Sequence, residues 1–143
     1  MPVRPLRALP TDVKAQELRD RCAAFASDVV IFCRKLRSKP EARNIAEQLS
    51  DSATAIPANY RAACRARSRR EFISKLAIAV EEADETVGWL ELVVRSGTWG
   101  EREVDPLLTE SREIAAILTA SRRTAERNNP DRPRRHPSIK FPN

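Results

Sequence analysis

The sequence predicts an all-α fold, an antiparallel up-down-up-down four-helix bundle, on the strength of three observations. Only three glycines occur in 143 residues, whereas helix-favouring alanine, leucine, glutamate and arginine are abundant. β-Branched residues never alternate with polar residues as a half-buried strand requires. Apolar residues instead recur at helical spacing in four long segments with short connections, which is typical of a bundle.

The first helix is predicted to begin near Thr11, where Thr11 or Asp12 can cap it, and to end near Arg37. Its apolar residues follow one another at spacings of 4, 3, 4, 3 and 4, which places them in one stripe along the helix. The stripe consists of Leu18, Cys22, Phe25, Val29, Phe32 and Leu36.

The second helix is predicted from Pro40, which suits a first helical turn, to about Arg67. Pro57 lies inside it, lacks the backbone N–H and crowds the carbonyl of Ala53, which costs about 3 kcal/mol in a regular helix. We therefore expect a kinked second helix. The kink either serves the shape of the bundle alone or lets a neighbouring backbone approach the alanines around it. The residues expected to face inward are Ile45, Leu49, Ser52, Ile56 and Ala63.

The third helix is predicted over residues 69–96. Ser68 and Glu71 form a capping box at its start, and Gly97 is a natural residue to follow its end. Its apolar face is predicted to contain Phe72, Leu76, Ala79, Ala83, Leu90 and Val94.

The fourth helix is predicted over residues 101–127, which sets the bundle domain at residues 11–127. Residues 1–10 are expected to form an N-terminal arm. Residues 128–143 contain four prolines and few apolar residues, so we expect a flexible basic tail. The inward residues of the fourth helix are Val104, Leu107, Leu108, Ser111, Ile114, Leu118 and Ala125.

Positive charge is concentrated in two segments. Residues 61–75 hold six basic residues against one acidic residue, and residues 122–143 hold seven against two. This pattern favours an anionic partner, nucleic acid or an acidic protein surface, although an arginine-rich surface can also serve solubility alone. The candidate nucleic-acid-binding residues are Arg61, Arg65, Arg67, Arg69, Arg70, Arg122, Arg123 and Arg127, joined by Arg132, Arg134 and Arg135 in the tail.

Few aromatic side chains accompany these arginines. Tyr60 and Trp99 are the two expected at the surface, so base stacking should be limited. The sequence therefore favours recognition of phosphate and shape over the reading of bases.

The third helix is strongly acidic, with no basic residue from Ala77 to Val94. This face is either simply solvated or an interface to a second copy. In the second case the acidic helix of one copy would meet Arg61, Arg65 or Arg69 of the next copy in a head-to-tail contact. The candidate interface residues are Pro57, Asn59, Tyr60, Glu81 and Glu85.

The inventory of reactive residues argues against an enzyme. The sole histidine, His136, lies in the tail, so the folded body has no Ser-His or Cys-His pair, and phosphate-binding glycine loops are absent. We expect no catalytic residue, no cofactor and no metal. Cys22, Cys33 and Cys64 are expected to be buried free thiols. No membrane segment or signal peptide is recognisable, so a cytoplasmic protein is expected.

Two runs of residues carry a resemblance to a known family. Residues 56–59 read IPAN and residues 67–72 read RSRREF. Together they resemble the signature of the bacterial four-helix bundle proteins named for members encoded in intervening sequences of 23S ribosomal RNA genes. The resemblance covers about residues 11–125. Within the signature, Tyr60, Arg61, Ala62 and Ala63 replace the family's usual Ile-Ala-Glu-Gly, which makes the site more basic.

The resemblance has implications for assembly and partners. The family is similar to the accessory protein of diversity-generating retroelements, which forms a five-membered ring and binds a reverse transcriptase and nucleic acid. The resemblance therefore implies a homo-oligomer, a ring of five, with RNA or a ribonucleoprotein as partner. An adaptor that docks on a reverse transcriptase is the alternative function.

Overall fold

Four long antiparallel helices make up the part of the chain that the structure describes. The computed structural model describes residues 10–128, with side chains from residue 13. The helices are α1 (Pro10–Leu36), α2 (Arg43–Cys64), α3 (Arg69–Arg95) and α4 (Glu101–Arg127). Consecutive helices pack side by side, and α4 also contacts α1, which confirms the predicted four-helix bundle.

Residues 1–9 and 129–143 lie outside the described residues. The predicted arm and tail fall there except for their innermost residues, as do Arg132, Arg134, Arg135 and His136. Pro10 is the first residue of α1, and Asn128 is the C-cap of α4.

The bounds of α1, α3 and α4 agree with the predicted ranges to within one residue, but those of α2 differ at both ends. Pro40 begins a short 3-10 helix (Pro40–Ala42), and the α-helix starts only at Arg43. α2 ends at Cys64 instead of Arg67. Tight hydrogen bonds from residues 65 and 66 to the carbonyls three residues back turn the chain out of the helix before it becomes extended at Ser68.

The turn between α2 and α3 contains the predicted capping box in a shifted form. Ser68 Oγ accepts a hydrogen bond from the backbone N–H of Glu71 at 3.1 Å. The Glu71 carboxylate accepts one from the backbone N–H of Arg67, also at 3.1 Å, one residue before the N-cap itself. Two unpaired donors at the start of α3 are thereby satisfied.

Gly97 ends α3, as predicted, in a left-handed conformation with φ of 69°. Its N–H bonds to the carbonyl of Val94, and the N–H of Thr98 bonds to the carbonyl of Val93, each at 3.1 Å. This pair of bonds is the Schellman motif, which requires positive φ at the residue after the C-cap.

The predicted apolar stripes form the core between the helices. On α1, every member of the predicted stripe except the half-buried Leu18 is fully buried. α2 is continuous through Pro57, and the kink predicted there stays a prediction. Burial of these stripes is what orients each polar helix face outward.

The core contains three buried hydroxyl side chains, those of Ser52, Thr86 and Ser111. Thr86 Oγ1 lies 2.9 Å from Ser52 Oγ and 2.8 Å from the carbonyl oxygen of Glu82. Ser111 on α4 is 1% exposed, and its Oγ has no hydrogen-bond partner among the described residues.

We predict that replacing Ser111 with alanine raises the free energy of unfolding by up to about 1 kcal/mol, because it removes an unsatisfied buried hydroxyl. Urea unfolding measures the change. Ser52→Ala is the matched control, and it should lower stability by about 1 kcal/mol because Thr86 loses one of its two hydrogen-bond partners. Equal losses in the two variants would contradict the prediction.

Removal of the cap at α3 should also be measurable. Ser68→Ala is expected to lower the free energy of unfolding by about 1 kcal/mol, since the N–H of Glu71 loses its acceptor. Ser74→Ala, at an exposed position inside the same helix, should leave stability unchanged or slightly higher. A Ser68→Ala variant as stable as Ser74→Ala would be evidence that the cap contributes nothing.

Candidate nucleic-acid interface

The antiparallel topology brings the two basic segments of the sequence to one end of the bundle. The C-terminal ends of α2 and α4 and the N-terminal end of α3 lie there together. The guanidinium of Arg69 donates a hydrogen bond to the carbonyl of Asn128, which joins the two segments directly. We call this end, with the eight candidate arginines, the basic end: Arg61, Arg65, Arg67, Arg69, Arg70, Arg122, Arg123 and Arg127.

Most of these arginines point their charge into solvent. Seven of the eight are exposed, and Arg122 is half-buried with its guanidinium 3.0 Å from the Glu126 carboxylate. The Arg127 guanidinium reaches the hydroxyl of Thr124 at 3.4 Å. No salt bridge to another described residue involves the other seven arginines. The basic end therefore offers guanidinium groups that are not neutralised within the described chain.

The helix dipoles explain some of these arginines and not others. Arg61 and Arg127 lie in the last turns of α2 and α4, where positive charge is favourable. Arg69 and Arg70 occupy the first turn of α3, where the dipole disfavours positive charge. The dipole of α3 therefore does not account for Arg69 or Arg70, although Arg69 also donates to the carbonyl of Asn128 at the C-terminal end of α4, where positive charge is favourable.

A groove between α1 and α2 opens beside the basic end. It has a volume of about 700 Å³. We call it the α1–α2 groove; its lining includes Arg19, Ala23, Thr54, Pro57, Ala58, Arg61 and Arg65, with Gln16 and Asp20. Pro57, predicted as an interface residue, thus lies in the wall of an open groove.

The outward face of α3 carries the acidic residues predicted for an interface. Glu81 and Glu85 are exposed on it, together with Gly88 and Leu92 at the following helical spacings. We call these four residues the acidic face of α3. Nothing lies within 4 Å of the position that a Cβ would take at Gly88.

One aromatic prediction is wrong. Tyr60 is 6% exposed and belongs to the hydrophobic core, where burial, followed by the neighbouring Cys64 thiol, raises its pKa. Its position on the inward stripe of α2, four residues after Ile56, is the signal that predicts burial. Tyr60 is therefore buried inside its own bundle instead of being exposed for stacking on a base.

Trp99 is half-buried at the opposite end of the bundle. Its ring meets Phe32 edge-on at 6.0 Å, and its Nε1 donates to the Glu103 carboxylate at 3.0 Å. Lys39 Nζ lies 4.9 Å from the ring centroid and donates to the carbonyl of Thr98 at 2.6 Å. Trp99 holds the two loops of that end together, and these contacts account for its position.

Asn59 also makes a local contact. Its side-chain amide donates to the carbonyl of Ala55 at 2.9 Å, in the helical turn that contains Pro57. Its predicted place in an oligomer interface stays a prediction, as do those of Pro57, Glu81 and Glu85.

The thiols divide into two kinds. Cys22 and Cys33 are fully buried, and burial raises the pKa of each to about 11. Cys64 is only partly buried, so the prediction of three buried thiols is wrong for it. The high pKa values disfavour the thiolate form of Cys22 and Cys33 and hence nucleophilic roles.

Residues 10–128 contain neither a cluster of metal ligands nor a membrane-spanning helix. Within that part of the chain, no three His, Cys, Asp or Glu side chains converge where a metal ion would bind. No helix there combines the length and apolar character needed to cross a bilayer.

The chain is similar to proteins of one family. The sequence model of the 23S rRNA-intervening sequence protein family matches residues 14–120. A crystal structure from Bacteroides thetaiotaomicron, described as a protein with unknown function from the S23 ribosomal protein family, is 33% identical and superposes with a TM-score of 0.72. That match covers 77% of this chain and 98% of the other. No match was found among curated proteins.

Glu82 on α3 gives a prediction about how stability depends on pH. Burial, followed by the charges of Glu85, Glu81 and Asp51, raises the pKa of Glu82. The folded protein thus holds this proton more tightly than the unfolded chain. The resulting stability is present at low pH and is lost as the pH rises through the raised pKa. Glu82→Gln should therefore raise the urea midpoint at pH 7, and the gain should shrink as the pH falls through the raised pKa and be lost below about pH 4.

The exposed Glu17 on α1 supplies the control. Glu17→Gln should change the urea midpoint less at pH 7 than Glu82→Gln does. If Glu82→Gln lowered the midpoint at pH 7, the ionised carboxylate would be stabilising, contrary to the prediction.

Proposed function

Because the chain belongs to the 23S rRNA-intervening sequence protein family, we propose that it is a non-enzymatic, cytoplasmic, oligomeric protein that binds structured RNA or a ribonucleoprotein through its basic end. The observation that carries the proposal is the meeting of two separate basic segments at one end of the bundle, where most of the guanidinium groups are unpaired within the described residues. An RNA phosphate backbone is the natural counterpart of such a surface.

The chemistry of the basic end favours contacts to phosphate over contacts to bases. Guanidinium forks match phosphate oxygens in two-point geometry. The two aromatic side chains that were candidates for stacking, Tyr60 and Trp99, are engaged elsewhere in the bundle. We therefore propose that binding follows the shape and charge of folded RNA, with weak dependence on base sequence.

Oligomerisation belongs to the same proposal. Several copies of the basic end in one particle, such as the ring of five implied by the family resemblance, would bind one RNA through several weak contacts. Linked contacts of this kind raise the overall affinity by orders of magnitude without new interactions.

A salt series tests the RNA proposal. We expect the triple variant Arg67→Gln, Arg70→Gln, Arg123→Gln to bind a structured RNA hairpin more weakly than wild type. A plot of log affinity against log salt, from about 50 to 200 mM, should become shallower by about one for each lost phosphate contact. Fluorescence anisotropy measures both quantities, and circular dichroism checks that the helices are retained.

A variant of equal charge at the opposite end is the matched control. Arg34, Arg37 and Arg43 are exposed near the loop between α1 and α2. Replacing these three with Gln should leave the salt slope close to that of wild type. Equal slopes in both variants would contradict RNA binding at the basic end. Absence of RNA binding together with capture of a reverse transcriptase would instead favour the adaptor function.

A further inference from the structure

We propose that the α1–α2 groove of one copy holds the acidic face of α3 of a second copy. Arg61 and Arg65 would then serve assembly, and the other six arginines of the basic end would remain for RNA. This inference rests on the oligomerisation included in the proposed function and adds to it the two surfaces that meet.

The acidic face of α3 has features that its own bundle does not require. Gly88 is exposed to solvent and lies in the middle of α3, where glycine is less favourable than alanine. A Cβ at this position would meet nothing within 4 Å. Leu92 on the same face is 41% exposed. A glycine beside an exposed leucine is explained if another backbone comes close to the helix at this level.

The α1–α2 groove has the complementary features. Its lining includes the small residues Ala23 and Ala58, which are exposed and let another helix approach. Three arginines line it against one carboxylate, that of Asp20. Arg61 and Arg65 make no salt bridge to another described residue. The groove therefore suits an acidic helix that carries a small residue.

The two surfaces also match in spacing. Read toward the N-terminus, four of the five groove residues on α2 and its C-cap are Arg65, Arg61, Ala58 and Thr54, at steps of 4, 3 and 4, and the fifth is Pro57. Read toward the C-terminus, the acidic face is Glu81, Glu85, Gly88 and Leu92, at the same steps. Two antiparallel helices in this register pair both arginines with glutamates and place Ala58 against Gly88.

The contact is head-to-tail, because the groove and the acidic face are different surfaces of the bundle. Each copy can therefore offer its acidic face to one neighbour and its groove to another. Repetition of such a contact closes a ring or extends a filament, according to the rotation between copies.

Reversal of charge tests the pairing in the full chain. Arg61→Glu with Arg65→Glu, and separately Glu81→Arg with Glu85→Arg, should each lose the wild-type assembly and run as smaller species in light scattering coupled to size exclusion. The chain that carries all four changes should regain the assembly, because opposite charges face each other again. Retained helicity by circular dichroism shows that each variant folds.

Two further variants separate this contact from general effects of charge and packing. Arg67→Glu with Arg70→Glu makes the same charge change outside the groove and should keep the assembly. Gly88→Leu leaves the charge unchanged, and its Cβ meets nothing in the single bundle, but it should dissociate the assembly.

The outcomes distinguish this inference from the proposed function. A wild-type protein that is monomeric would overturn oligomerisation and this contact together. Assembly that survives both double reversals would overturn the contact alone. Failure of the four-fold variant to reassemble would overturn the pairing of these residues. Intact assembly with loss of hairpin RNA binding in Arg61→Glu, Arg65→Glu would instead place nucleic acid in the groove.

Discussion

The reversal of the chain at Ser68 is the constraint on which the distribution of charge depends. The Ser68 hydroxyl caps α3, and the Glu71 carboxylate accepts a hydrogen bond from the backbone N–H of Arg67. The chain therefore reverses its direction between α2 and α3 within a few residues. Arginines on both sides of this turn are thereby held at one end of the bundle. The same reversal sends α3 away from that end, so α4 must return to it and bring the second basic segment alongside the first.

In the folded bundle, the basic and acidic residues therefore lie on different surfaces. The basic end is built from three helix termini, whereas the acidic face lies along the middle of α3. In the proposed assembly, six of the eight arginines of the basic end lie outside the α1–α2 groove, so one particle can meet a polyanion and a second copy of itself at the same time. Arg61 and Arg65 belong both to the basic end and to the α1–α2 groove. Whether these two arginines serve assembly or RNA binding determines how much of the positive charge stays available in an assembly.

Much of the fold could be predicted from the sequence, since helical periodicity and capping residues are local signals. The family resemblance is confirmed as well, by the match over residues 14–120. The end of α2 at Cys64 differs from the predicted end because tight hydrogen bonds at residues 65 and 66 turn the chain out of the helix, and no residue type marks that turn in the sequence. The burial of Tyr60 was signalled by its helical spacing, but its proximity to the arginines favoured an exposed role. The α1–α2 groove, with Arg19 in its wall, depends on tertiary packing and has no local signature.

The central claim is that RNA binds at the basic end, where α2 and α4 end and α3 begins. Amide hydrogen exchange with and without a structured RNA tests it most directly, because it reports protection along the whole backbone. The account predicts slower exchange in residues 65–72 and 122–128, and unchanged exchange in residues 36–43 and 96–101 at the opposite end. Protection confined to the opposite end, or none despite measurable binding, would contradict it.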